Sequence, residues 1–332
     1  MDALSFRLLN ECQRGFPLVE RPYAELGARL GAGEGDVLAA LHGLQEGGAL
    51  GRVGAIVAPQ VLGASTLAAI AVPPTRLVEV ANIVSGYPQV NHNYEREHAF
   101  NLWFVAQAPD AAELAQLLAE IELRSRLAVL SLPLETEYWI DLGFALDGNS
   151  QAPRVPRVRL VPAETRGLDA RERRILAALE PGLALEPRPY ARLAVRAGYS
   201  EPEAIACLAR WLDEGLLRRL GLIVRHNELG YRANAMVVWD VPDDRVDALA
   251  AAVAREARVT LCYRRRRALP SWPFNLYCMV HAKDRAEARE AIGVLRARCL
   301  LDPYPHQVLF STQRFKQRGA RHAPRAAEVR LG

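Results

Sequence analysis

Arg21-Pro22-Tyr23, then Gly54, Ile56-Val57 and Leu62-Gly63, recur as Arg188-Pro189-Tyr190, Gly221, Ile223-Val224 and Leu229-Gly230, each shifted by 167 positions. A gapless match over about forty residues marks an internal repeat. Farther along, the shift grows to 169, where Tyr94 and Arg96 meet Tyr263 and Arg265, and then to 174, where Phe100-Asn101-Leu102 meets Phe274-Asn275-Leu276. Short loop insertions account for both steps. Gly148 to Gly167 holds three prolines and several arginines without a sustained apolar period, as a linker does.

Each copy opens with helical signals. In the second, Arg173–Leu179 and Pro189–Ala197 read as short helices. Ser200 and Glu203 have capping-box spacing, and Ile205, Leu208, Leu212 and Leu216 follow along one helical face. Leu217–Val224 reads as the two strands of a wing turning at Gly221, which completes a winged helix-turn-helix. Then come a β-rich run at Asn234–Trp239, a helix from Asp243 to Ala257, strands near Thr260–Arg266 and Phe274–Val280, a helix from Asp284, and a strand near His306–Thr312. This order is βαββαβ, the ferredoxin-like unit, and the first copy repeats it from Ala68 through Phe144.

The expected fold is therefore α+β: a tandem repeat of winged helix-turn-helix plus ferredoxin-like βαββαβ units. Its segments are 1–62 (winged helix), 63–148 (α/β unit), 149–167 (linker), 168–230 (winged helix), 231–320 (α/β unit) and 321–332 (tail).

A formal net charge of +4 on 332 residues is low for a protein that grips duplex DNA. The candidate recognition segment Gly33–Glu46 offers Glu34, Asp36 and Glu46 but no Arg or Lys, and Arg210 is the one base in its counterpart. No DNA partner is expected. Five scattered cysteines form no CxxC pair, and no apolar run approaches the roughly 18 residues of a membrane span, so a reducing cytoplasmic location without a membrane partner is expected. HExxH, Gly-rich phosphate loops and GxSxG are absent, so neither a metal site nor a cofactor is expected.

The copies diverge at polar positions: Pro59 stands opposite His226, His98 opposite Arg267, and Gln107 opposite His281. Such divergence fits either a composite site or one live and one degenerate site. In strand geometry Arg264, Arg265, Arg266 and Arg267 alternate faces, so half could meet an anionic ligand and half solvent.

The winged helix followed by βαββαβ resembles the Lrp/AsnC regulators. More specific strings are His92-Asn93-Tyr94-Glu95-Arg96-Glu97-His98, Phe100-Asn101-Leu102-Trp103-Phe104 and Tyr138–Phe144 in the first copy. In the second they are Arg225-His226, Trp272-Pro273-Phe274-Asn275-Leu276-Tyr277, Val280-His281 and Phe315-Lys316-Gln317-Arg318-Gly319. These are similar to the two subunit types of the siroheme decarboxylases, here in tandem.

That resemblance implies removal of CO2 from two acetate side chains of siroheme, giving 12,18-didecarboxysiroheme in haem d1 biosynthesis, with iron entering only as part of the substrate. It implies a pocket with fixed cations for a polyanionic macrocycle and a proton donor near neutral pKa. His98 and His226 are the expected catalytic residues. His92, Tyr94, Arg96, Tyr263, Arg264, Arg265, Arg266, Arg267, His281, Lys316 and Arg318 are the expected substrate contacts, with His92 alternatively an iron ligand or a surface residue. The halves should form an intrachain pseudo-dimer closing around one macrocycle, which leaves room for a homodimer and for related decarboxylase subunits. A DNA-binding regulator and a non-catalytic tetrapyrrole carrier are the competing readings.

Overall fold

The computed structural model describes residues 1–58, 63–140, 159–160 and 168–317, with the backbone alone for Arg159, Leu160, His226 and Asn227. In the first copy the elements are α1 (Ala3–Glu11), α2 (Pro22–Leu30), α3 (Glu34–Glu46), β1 (Leu50–Val57), β2 (Ala64–Ile70), α4 (Leu77–Gly86), β3 (Val90–Arg96), β4 (Leu102–Ala108), α5 (Ala111–Ser125) and β5 (Val129–Ile140). A short strand β6 (Arg159–Leu160) pairs with Thr136 and Glu137 of β5, inside the stretch expected to be linker only. The second copy follows as α6 (Ala170–Leu179), α7 (Pro189–Ala197), α8 (Glu201–Asp213), β7 (Leu217–Val224), β8 (Ala233–Trp239), α9 (Val246–Arg255), β9 (Val259–Arg265), β10 (Leu276–Ala282), α10 (Arg285–Arg298) and β11 (His306–Gln317).

Helix starts follow local chemistry. Asp2, Asp110, Asp169, Ser200 and Asp284 each accept a backbone N–H three residues on, satisfying a donor that the first turn leaves free. Pro22 and Pro189 occupy the first position of α2 and α7, where a missing N–H costs nothing.

The expected wing is not a hairpin. Leu217–Val224 is one continuous strand, and it pairs antiparallel with β1, Gly54 lying opposite Gly221. A Cβ on Gly221 would stand 2.2 Å from the carbonyl oxygen of Gln13, so the strand approaches the end of α1 only because that residue is glycine. The two winged-helix segments thus share one ribbon and one core, in which Leu8, Tyr23, Val37 and Leu41 of the first copy join Ile175, Tyr190, Leu208 and Trp211 of the second. Tyr23 donates to the carbonyl of Ala184 and Tyr190 to that of Pro17, each at 2.8 Å across the copies.

The α/β units are joined as tightly. β5 pairs through Val129–Pro133 with β2 of its own unit and through Leu134–Ile140 with β9 of the other. β11 does the reverse, pairing first with β8 and then with β3. Each unit's last strand thereby crosses into its neighbour, and β2-β4-β3-β11-β8-β10-β9-β5 returns to β2. Helices α4 and α5 cover one sheet through Val80, Val84, Leu117 and Ile121, and α9 and α10 cover the other through Leu249, Val253, Ile292 and Leu295.

Between the sheets lies a fourth core containing Leu67, Trp103, Leu132, Met236, Trp272, Tyr277 and Leu309. This core is apolar and aromatic, so the polar side chains expected to meet a macrocycle lie beside it. A buried ion pair, Arg218 to Glu137 at 2.7 Å with both side chains 6% exposed, ties the ribbon of the winged helices to β5. Among the described residues no helix is long and apolar enough to cross a membrane, and all five cysteines are buried free thiols.

Candidate functional site

The inner faces of the two sheets carry the polar residues that matter. Alternation along β3 turns Asn93 toward the helices, where its amide donates at 3.0 Å to the carbonyl of Ala81 and to Ser85 Oγ. His92, Tyr94 and Arg96 accordingly take the inner face. Arg96 is 7% exposed. Its Nη1 donates to the carbonyl of Leu309 at 3.0 Å, and it forms no ion pair among the described residues.

Burial draws this guanidinium down to about 10, with the Tyr263 and Tyr94 phenols acting in the opposite direction. It stays charged at neutral pH, a fixed buried cation with no counter-ion among the described residues. Such a charge is expensive to hold and receptive to an anionic group.

Arg96 begins a row across the sheet. Ser311 of β11 stands opposite it. Extending the β8–β11 register by one residue beyond Ala235–Phe310 brings Asn234 beside Ser311. Asn234 is opposite His281 of β10. The His281 ring meets Thr260 Oγ1 at 3.0 Å through Nδ1 and the Asn234 amide at 3.2 Å through Nε2. Burial, and next the positive charge of Arg96, hold the His281 imidazole down to about 4, so it is neutral in the free protein.

The repeat places a second row related to the first. Arg265 Nη1 donates to the carbonyl of Leu132 at 2.8 Å, as Arg96 does to Leu309, and its guanidinium lies 4.6 Å from the Tyr263 ring centre. Arg265 also makes no ion pair among the described residues, and its buried Nε has no partner there. Leu134 lies opposite it, Ser65 follows by register, and Gln107 is opposite Ser65. Gln107 accepts from Asn91. The second row thus ends in two amides where the first has an imidazole and a hydroxyl.

The remaining expected residues separate. His92 is half-buried. It stacks on Tyr94 with ring centres 6.2 Å apart, and burial lowers it to about 4. His98, beyond the end of β3, accepts from the Phe100 N–H at 2.9 Å through Nδ1, packs edge-on to Trp272 at 5.3 Å, and is lowered by burial. It occupies an aromatic nest of Phe100, Trp272 and Phe274 rather than the Arg96–His281 row. Tyr263 is buried and stacks on Tyr277 with centres 5.6 Å apart.

Three of the four arginines in the run meet protein carboxylates in this structure. Arg264 pairs with Glu135 and Asp243 at 3.1 and 2.8 Å, Arg266 lies 3.7 Å from Glu135, and Arg267 pairs with Asp240 and Asp243 at 3.1 and 2.7 Å. Protein carboxylates have already met these charges. Lys316 also turns away from the inner face, donating to the carbonyls of Ser85 and Tyr87 at 2.8 and 2.7 Å at the end of α4. The side chain of His226 and all of Arg318 lie outside the described residues. Asn234 and Thr260 were missed by the sequence reading; their signal was the same divergence between copies that drew attention to His281.

Among the described residues no three His, Cys, Asp or Glu side chains gather as a metal site. The base in α8, Arg210, is tied to buried Glu172 at 2.9 Å, and α3 keeps its acidic first turn.

Comparison with known proteins fits this geometry. The AsnC-like ligand-binding domain matches residues 62–138 and 228–316, and the siroheme decarboxylase NirDL-like HTH domain matches residues 6–50 and 172–218. The siroheme decarboxylase NirDL subunit of Paracoccus denitrificans is 46% identical over 98% of this chain and 99% of its own. The NirD subunit of Stutzerimonas stutzeri is 50% identical over 44% of this chain and 96% of its own. A crystal structure of the siroheme decarboxylase NirDL in co-complex with an iron-uroporphyrin III analogue superposes with a TM-score of 0.70 at 28% identity, over 96% of this chain and 94% of that one. With both repeated domains matched and a relative aligned from end to end, this chain belongs to the siroheme decarboxylase family.

Proposed function

We propose that this chain decarboxylates siroheme at two acetate side chains, giving 12,18-didecarboxysiroheme on the route to haem d1. The observation that carries the site assignment is Arg96, a buried cation without a carboxylate partner among the described residues, in one row with His281. A substrate carboxylate set against Arg96 replaces the missing counter-ion, and Arg265 offers a second such grip. Tyr94 and Tyr263 line the approach. The arginines held by Glu135, Asp240 and Asp243 shape the walls rather than bind substrate.

Loss of CO2 leaves its electron pair on the acetate methylene, delocalised into the macrocycle, and one proton then converts that carbon to a methyl group. His281 supplies the proton in this reading. Burial is the larger influence against imidazolium and the Arg96 charge the smaller; a substrate carboxylate beside the ring offsets both, so the ring takes a proton from solvent when substrate arrives and passes it on after CO2 leaves. Each decarboxylation consumes one proton. His98 and His226 remain candidates for the other delivery, and His92 for the substrate's iron.

The family's half-length subunits support an intrachain pseudo-dimer as the working unit, open to association with a second copy or with related subunits. The acidic first turn of α3 and the pairing of Arg210 argue against DNA as a partner.

The test is anaerobic incubation of the purified protein with siroheme, followed by mass spectrometry of the tetrapyrrole. Loss of two CO2 units is expected; tight binding with an unchanged mass would make the protein a carrier. His281→Ala, His98→Ala and His226→Ala, assayed separately, assign the donors, and full turnover in His281→Ala would remove it from the mechanism.

A further inference from the structure

Each ring nitrogen of His281 has a partner, and the partners are not interchangeable. Thr260 Oγ1 is 3.0 Å from Nδ1, and it also donates to the carbonyl of Met279 at 3.3 Å. A hydroxyl has one proton to give. With that proton on Met279, Thr260 can only accept from the ring, so Nδ1 carries the hydrogen and Nε2 holds the lone pair. Nε2 then needs a donor, which the Asn234 amide supplies at 3.2 Å.

The other end of the same amide is informative. Asn234 Oδ1 is buried and has no hydrogen-bond partner among the described residues. A buried acceptor left without a partner is costly, and a second state that uses it accounts for its being kept. Here rotation of the amide would turn Oδ1 onto Nε2 once that nitrogen is protonated. One side chain can thus satisfy both protonation states, donating to the neutral ring and accepting from the charged one. The related position shows the contrast: Gln107 faces Asn91 and Ser65, whose amide and hydroxyl do not take up a proton near neutral pH.

Resting on the decarboxylase reading, we infer that Thr260 and Asn234 are positioning residues: Thr260 fixes His281 as the Nδ1–H tautomer, and Asn234 follows Nε2 through protonation and release by rotating its amide. The row ending in Gln107 binds without proton transfer. Among the described residues Arg96, from β3, is the charged group that acts on this ring, and Tyr94 and Tyr263 act in turn on Arg96.

Nitrogen-15 spectra of histidine-labelled protein, with His281 assigned through His281→Gln, read the tautomer directly. A protonated Nδ1 and an unprotonated Nε2 are expected; the opposite pattern overturns the proposal without any variant needing to fold. Thr260→Val should lower kcat about 10- to 100-fold with KM little changed and should mix the tautomers, whereas Thr260→Ser should recover most of the loss. Wild-type kcat in Thr260→Val would also overturn it. An inactive His281→Ala beside an unaffected Thr260→Val sinks the positioning role alone; an active His281→Ala sinks the decarboxylase site assignment instead.

Discussion

Arg96 and Arg265 are one residue written twice, and each reaches across to a backbone carbonyl on the other copy's crossing strand. A buried guanidinium held this way gives the fold little, because a carbonyl does not repay the desolvation of a full charge. Arg96→Met should therefore leave the thermal midpoint within a few degrees of wild type, while siroheme affinity, followed by absorbance titration, should fall about 10- to 100-fold for one lost charge-assisted contact. A large drop in stability with unchanged affinity would show a structural arginine.

The neighbouring histidines predict a pH dependence. His92 and His281 are held near 4 in the fold against an ordinary value of 6.5. Protons therefore bind the unfolded chain more readily than the folded one. Their stabilising contribution is whole above about pH 6.5 and drains as pH falls toward 4, about 2 kcal/mol per histidine by pH 5. Urea midpoints from pH 7.5 to 4.5 measure this, and His92→Gln should flatten part of the slope. At this scale the sequence was partly legible. Recurrence of Arg96 at Arg265 pointed to both cations, but adjacency in the run 264–267 said nothing about which residues would find Glu135, Asp240 and Asp243 across a turn.

Helices and strands were legible where local chemistry decides them. The box at Ser200 and Glu203 forms as the spacing implied, and βαββαβ holds in both copies. The wing was misread because Gly221 looked like a turn. It is instead the point where a strand crosses the backbone of Gln13, a constraint set by a residue about two hundred positions away. Pairing partners far apart in sequence leave no periodic trace, so the crossings of β5 and β11 were equally hidden. Gly221→Ala should destabilise by about 1–3 kcal/mol, since backbone atoms must shift to admit the methyl group. Gly43→Ala, in the open middle of α3 with nothing within 4 Å of the added carbon, should stabilise by about 0.5–1 kcal/mol. Chemical denaturation of the pair separates a clash from a general effect of replacing glycine.

At the scale of the molecule the repeat is not two beads on a string. The winged-helix core draws side chains from both copies, the β1–β7 ribbon needs one strand from each, and both α/β sheets borrow a terminal strand. Either half alone would expose the inner faces around Trp103 and Tyr277 and leave β5 or β11 with an unpaired end, a surface that seeks another strand. Residues 1–158 produced alone should therefore self-associate or precipitate, whereas co-production with residues 159–332 should give a one-to-one complex that turns over siroheme, as the half-length subunits of the family suggest. Light scattering on the separated halves decides it. A monomeric, cooperatively melting first half would mean that the crossing strands decorate two independent domains, and the asymmetry between the His281 and Gln107 rows would then belong to two separate sites rather than to one shared body.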